Sequence, residues 1–220
     1  MQKPILSNER RRKILDLYNY LIETYGLNEP IFSKDITFKS YSKQWLYKEF
    51  NKLCKSGKII KYEKGIYYIP TKTILGVSLL DPKKVIEKKY INNGTETIGY
   101  YSGSTFLNQL RISTQMPNTI EIYTNNEKSN VRDVNIGSQK VLLRRARTEI
   151  NKENAAVLSL LELMNFVPAS FFDNERRAKI NLYITKNKIT RKSITKYAPV
   201  FPDKAMRTLV ESEVIYSVTQ

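Results

Sequence analysis

Residues 42–70 read SKQWLYKEFNKLCKSGKIIKYEKGIYYIP. At about 100° per residue, Leu46, Phe50, Leu53 and Cys54 fall on one side of a helix running from Ser42 to Ser56. That spacing is a core stripe. Gln44, Lys48, Asn51 and Lys55 fall on the opposite side, with Trp45 and Tyr47 flanking the two faces. Gly57 is a stop signal. Lys58-Ile59-Ile60-Lys61-Tyr62 then reads as a strand and Glu63-Lys64-Gly65 as a tight turn with glycine at the positive-φ position. Ile66 to Ile69 is the returning strand, which Pro70 ends.

Upstream, Ile14, Tyr18, Leu21, Ile22 and Tyr25 recur at helical spacing and predict a helix from Glu9 to Tyr25, with Ser7 or Asn8 as N-cap and Gly26 as the stop. Ser33 reads as the N-cap of a short second helix, Lys34 to Thr37, with Ile31, Phe32 and Ile36 turned inward. A turn through Lys39 to Ser42 leads into the third helix. Helix, short helix, helix, basic hairpin is the winged helix-turn-helix order, in which the last helix enters the major groove and the hairpin touches backbone. Ser42, Lys43, Gln44, Tyr47, Lys48 and Asn51 are then the candidates to meet base edges or phosphates, and Lys61 and Lys64 to meet phosphates. A winged helix also serves as a protein-docking module, and a polar helix face is also what solvent requires.

Charge weighs toward the first alternative. The 220 residues carry 37 Lys and Arg against 21 Asp and Glu, a net +16. Phosphate contacts release condensed counterions, so such a balance draws the chain toward polyanions. A/T-rich codon bias also raises Lys, but it does not by itself keep acidic residues low. Residues 1–70 hold 14 of the cations and only 7 of the acids, the most basic third. Arg10, Arg11, Arg12 and Lys13 lie in the first turns of the first helix, where positive charge opposes the dipole; either a partner or solvent offsets it. No stretch is long and apolar enough for a membrane span, and no apolar signal segment opens the chain. The single cysteine, Cys54, suits a reducing compartment. A cytoplasmic protein is expected.

Thr71 to Leu80 reads as a domain junction, giving a domain over 1–72 and a second, α+β domain over 79–220 with a helical tail. Asp81-Pro82 starts a helix with Val85, Ile86 and Tyr90 on its apolar side, ended by Asn92-Asn93-Gly94. Ser102-Gly103-Ser104 lacks the end of a phosphate loop and reads as the start of a helix through Leu110. Thr119 to Thr124 alternates as a strand. Val131–Ile136 and Lys140–Arg144 form a hairpin about Gly137-Ser138. Arg132, Lys140, Arg144, Arg145 and Arg147 are a candidate second anion-contact patch or a solvated strand end. Asn154 to Asn165 is an apolar helix with Ala155, Leu158, Leu161 and Leu163. Further helices start near Asp173 and Thr190, and one is capped by Asp203 with Ala205, Met206, Leu209 and Val210 inward. There is no histidine, no Cys/His cluster for zinc and no close carboxylate pair, so neither an enzyme activity nor a cofactor is expected.

Two stretches resemble the AbiEi-type antitoxins of type IV toxin–antitoxin pairs. The first is Leu46 through Pro70, including Leu53-Cys54-Lys55-Ser56-Gly57-Lys58 and Lys64-Gly65-Ile66-Tyr67-Tyr68. The second is Tyr101-Ser102-Gly103-Ser104-Thr105-Phe106-Leu107 with Leu110-Arg111-Ile112-Ser113-Thr114-Gln115-Met116-Pro117-Asn118, followed by the strand Ile120 to Thr124. The basic hairpin ending Arg144-Arg145-Ala146 matches in kind, and the resemblance covers about residues 9–165. It implies an N-terminal domain that binds operator double-stranded DNA and represses its own operon. It implies a C-terminal domain that counteracts a nucleotidyltransferase toxin, without need of a stable complex. The alternative is a winged-helix transcriptional regulator whose second domain senses a ligand or dimerises.

Overall fold

The computed structural model describes residues 8–38, 41–74 and 76–218, with side chains from residue 16 onward. Ser7, Lys39, Ser40 and the side chains of Arg10, Arg11, Arg12, Lys13 and Ile14 lie outside the described residues. The chain is mixed α+β and divides between Lys84 and Val85 into two units.

In the first unit, α1 spans Asn8–Tyr25, so Asn8 is helical rather than a cap. Leu17 and Leu21 are fully buried; Tyr18, Ile22 and Tyr25 pack partly buried against the same cluster. β1 (Ile31–Phe32) follows. The short helix expected over Lys34 to Thr37 does not form. The Ser33 N–H donates to the Gly65 carbonyl at 2.9 Å, and Asp35 N–H to Phe32 at 3.0 Å, which closes a turn. Residues 36–38 then run without regular structure. The Ser33 bond ties this stretch to the hairpin, and the chain turns at Asp35 without entering a helix. Ile31, Phe32 and Ile36 are nonetheless buried, and Phe38 joins an aromatic stack with Tyr20, Tyr41 and Trp45.

α2 (Lys43–Lys55) is capped by Ser42, whose hydroxyl oxygen accepts from Trp45 N–H at 3.2 Å. β2 (Ile60–Glu63) and β3 (Ile66–Tyr68) form the hairpin, with Gly65 at φ +79° in the turn. β2 starts two residues later than the sequence suggests, because Lys58 and Ile59 both donate their N–H to the Leu53 carbonyl at the end of α2. The three strands lie in the order β1-β3-β2, all antiparallel. Phe50 meets Tyr67 edge-on at 4.7 Å, joining helix to sheet. Residues 71–80, read as a junction, hold a further small ribbon, β4 (Lys72–Thr73) with β5 (Gly76–Val77). Asn28 binds this segment: its side chain donates to Thr71 Oγ1 at 2.9 Å and accepts from Ser78 Oγ.

α3 (Pro82–Tyr90) leads into the second unit, with Val85, Ile86 and Tyr90 buried. There β6 (Gly99–Tyr101), β7 (Thr119–Thr124), β8 (Val131–Ile136) and β9 (Gln139–Arg145) form one sheet in the order β6-β7-β9-β8. β7 and β9 are parallel and the outer pairs antiparallel. A Cβ at Gly99 would collide with the Tyr90 carbonyl oxygen and lie 2.7 Å from that of Tyr123, so only glycine fits there. α4 (Gly103–Gln109) crosses between β6 and β7. α5 (Ala155–Phe166) is buried along most of its length. α6 (Asn174–Lys186) is capped by Asp173, and α7 (Arg191–Tyr197) by Thr190 in a capping box with Ser193. α8 (Asp203–Glu211) includes Asp203 as its first residue; Pro202 holds the cap position. Ala205, Thr208 and Leu209 face its core, while Val210, expected inward, is half exposed because it falls on the far side of that stripe. Among the described residues no helix is long and apolar enough to cross a membrane.

Tyrosine burial gives this unit an alkaline limit. Tyr101, Tyr123 and Tyr183 are each pushed up to about 12, first by burial. A folded-state value above the unfolded one, near 10, means that folding excludes the phenolate. Their contribution is complete below pH about 10 and is lost as pH rises toward 12. Thermal unfolding should therefore keep a constant midpoint through neutral pH and fall steeply above about pH 10. Tyrosinate absorbance should rise together with loss of structure. Titration of these phenols near 10 in a folded protein would contradict the burial argument.

Candidate functional site

Two places in the chain gather polar groups: the outer face of α2 with its hairpin, and a cavity beside the second sheet. On α2, Leu46, Phe50 and Leu53 are buried and turn inward. The same geometry leaves Lys43, Gln44, Lys48, Asn51 and Lys55 exposed, and Tyr47 half exposed at 51%. Ser42 is exposed, but its oxygen is already engaged as the cap. Lys52 pairs with the buried carboxylate of Glu49 and does not belong to the outer face. Cys54 lies at the edge of the core, and burial pushes its thiol up, away from thiolate reactivity.

The hairpin lies against this helix. Lys61 pairs in register with Tyr67 and sits close enough to Cys54 to affect its thiol. The Tyr67 hydroxyl is raised first by burial and then by the proximity of Cys54 and Tyr47. At the other end, Ser33 binds Gly65 and lines a small recess with Lys43, Leu46, Tyr47 and Phe50. Lys64 in the turn and Lys61 on β2 are both exposed. The candidate residues of helix and hairpin are thus all exposed, on two elements that pack together through Phe50 and Tyr67.

The five cations of the second group do not form one patch. Successive strand residues face opposite ways. Arg144, opposite Tyr123 and Val131, and Lys140, opposite Thr119 and Asn135, share one face of the sheet. Arg145, opposite Thr124, and Arg132, opposite Leu143, share the other. Arg132 is bound by Glu127 at 2.7 Å. Burial would raise the Glu127 carboxyl, but hydrogen bonds from Ser129, Lys128 and Arg132 hold it below its ordinary value. Arg147 lies beyond the strand and binds Glu162 of α5 through Nε at 2.8 Å and Nη2 at 3.3 Å.

Glu162 is 5% exposed. It also accepts from the Tyr123 hydroxyl at 3.0 Å and from Asn165 Nδ2 at 3.3 Å. Hydrogen bonding to Glu162 raises the Arg147 guanidinium above its ordinary value, against the opposing effect of burial. This network forms one wall of a cavity of about 300 Å³, which Ser102, Gly103, Glu121, Arg144 and Phe166 complete. Sequence reasoning missed Glu121 and Glu162. The available signal was a lone glutamate in each of two otherwise apolar runs, IEI and LLELM. Compared with known proteins, the chain matches no family model and no curated protein.

The network has a measurable signature. Removing one partner of a buried pair leaves the other uncompensated. Arg147→Met should lower the stability of the protein by about 3 kcal/mol in denaturant titration, and the double variant Arg147→Met/Glu162→Leu should recover most of that loss. A double variant no more stable than the single would show that the pair is not coupled.

Proposed function

We propose that the first unit is a winged-helix DNA-binding domain, with α2 as recognition helix, the β2–β3 hairpin as wing and a turn in place of the middle helix. One observation carries this reading: Lys43, Gln44, Tyr47, Lys48 and Asn51 are exposed on one helix face, beside a hairpin that presents Lys61 and Lys64. Such a face offers donors and acceptors to base edges, and the wing lysines suit phosphates. The charge of +16 supplies the long-range attraction. Taken with the resemblance over residues 9–165, the protein is an antitoxin that represses its own operon and counteracts a nucleotidyltransferase toxin. A second reading, a regulator whose second domain senses a ligand, is favoured by the polar cavity of that unit.

Replacing Gln44, Lys48 and Asn51 together with Ala should abolish specific binding to the upstream promoter, each base contact being worth about 1–3 kcal/mol. Lys64→Ala should weaken binding to all sequences and reduce the slope of affinity against salt. Gel-shift titration with promoter and unrelated duplexes checks both. A triple variant that binds the promoter like the parent protein would refute the helix assignment.

The same full-length triple variant separates antitoxin from simple repressor. Expressed from an unrelated promoter, it should still restore growth to cells in which the neighbouring toxin is induced. If only DNA-binding protein restores growth, protection is repression and the second unit has no antitoxin role of its own.

A further inference from the structure

The cavity in the second unit holds two kinds of polar group. Arg147 and Glu162 satisfy one another, with help from Tyr123 and Asn165. Arg144 and Glu121 form only a loose ion pair: their closest approach is 3.9 Å, beyond hydrogen-bond range, and among the described residues neither charged end has a hydrogen-bond partner. They are nonetheless sheltered, the side chains being 34% and 20% exposed. The Glu121 carboxylate lies where a side chain on Gly103 would be, 2.5 Å from the position of its Cβ. Gly103 thus keeps that carboxylate at the cavity wall. Ser102, on the same wall, is 3% exposed and its hydroxyl is buried without a partner. An unpartnered buried hydroxyl is unfavourable, and a ligand hydrogen bond would remove that cost.

We propose that this cavity binds a free α-amino acid. The facing groups call for a ligand with an anionic and a cationic end close together. Arg144 offers a fork of N–H donors to a carboxylate, and Glu121 accepts from an ammonium. An α-amino acid carries both on one carbon and so can lay its carboxylate on Arg144 and its ammonium on Glu121 at the same time, from the cavity side of the loose pair. The Ser102 hydroxyl adds a donor or acceptor beside them. Two arginines and two glutamates give the lining no net charge. A phosphate or nucleotide would therefore bring its charge against Glu121 and Glu162 with no excess of cations to meet it. The volume, about 300 Å³, lies at the small end of ligand pockets. The inference holds whether or not the first unit binds DNA.

The test is calorimetric titration of the full-length protein with each of the twenty standard amino acids. The comparison ligands are the matching amine without carboxylate, the matching acid without amine, guanosine monophosphate and inorganic phosphate. At least one amino acid should bind with a Kd below about 1 mM, and each truncated analogue should bind at least about tenfold more weakly. Glu121→Gln and Arg144→Gln should each weaken binding by about tenfold or more, and Ser102→Ala by a smaller factor. Arg145→Gln, on the opposite face of the same strand, should leave it unchanged. Circular dichroism identifies any variant that fails to fold, and Ser102→Ala, which removes a single hydroxyl, then decides with the ligand analogues. The proposal is overturned if no amino acid binds, if the truncated analogues or phosphates bind as well as the amino acid, or if the folded cavity variants bind like the parent protein.

Discussion

A carboxylate buried in an apolar helix constrains the second unit more than any other group. Glu162 sits among leucines in α5 and is 5% exposed. Removing such a charge from water costs several kcal/mol, an expense met only by close and well-directed partners. Those partners come from separate parts of the chain. Tyr123 belongs to the central strand β7, and Arg147 follows β9. The Arg147 guanidinium also lies 5.1 Å from the Phe201 ring centre, which brings the tail to the same point. Tyr123 in turn stacks on Tyr100 of β6 at 5.4 Å. Apolar contacts alone would let α5 rotate or slide on the sheet at modest cost. One buried ion needing named donors fixes both its rotation and its position.

The first unit is held by backbone and amide groups instead. Asn28, at φ +56°, donates its own N–H to the Ile69 carbonyl at 2.9 Å. Its side chain holds Thr71 and Ser78, and its carbonyl accepts from Lys84 at 3.1 Å. A single residue after α1 therefore gathers the end of the hairpin, the β4–β5 ribbon and the start of α3. Ser33 plays the matching part at the turn of the hairpin through Gly65. Between them the hairpin is fixed at both ends, and Phe50 against Tyr67 fixes its middle to α2. The hairpin that carries the exposed Lys61 and Lys64 thus has a fixed place on α2.

Much of this was legible because its causes are local. Ser42, Asp173 and Thr190 cap helices by bonding to residues three positions on, and such a signal lies within one short window of sequence. The limits of β7 follow from alternation over six residues, and those of β8 from the Gly137-Ser138 turn that ends it. What escaped the sequence depends on distant pairing. Ser33 looks like a helix cap, yet the chain after it only turns, tied to the hairpin at Gly65, 32 positions later. Nothing in residues 119–145 says that β7 runs parallel to β9 and leaves β8 at the edge. The exposed polar residues of α2 were readable from one helix period. The cavity was not, because Ser102, Glu121, Arg144 and Glu162 come from four elements whose meeting only the sheet order decides.

Net charge alone does not separate engaged cations from exposed ones. Arg132, Arg147, Arg177 and Lys179 all contact carboxylates, and a cation so engaged must break an existing pair before it meets a phosphate. Lys43, Lys48, Lys55, Lys61 and Lys64 are exposed and belong to none of those pairs. A lysine of this kind keeps its hydration and loses little on approaching a polyanion, while the polyanion releases counterions. Arginine-rich strand ends attract the eye in sequence because the residues are adjacent. Adjacent strand residues point to opposite sides, so Arg144 and Arg145 cannot act on one ligand from one face. On a helix the reverse holds: Lys43, Tyr47 and Asn51, four apart, lie together along one line. Helical spacing gathers side chains where strand adjacency divides them, and so the more modest lysines of α2 make the better electrostatic surface.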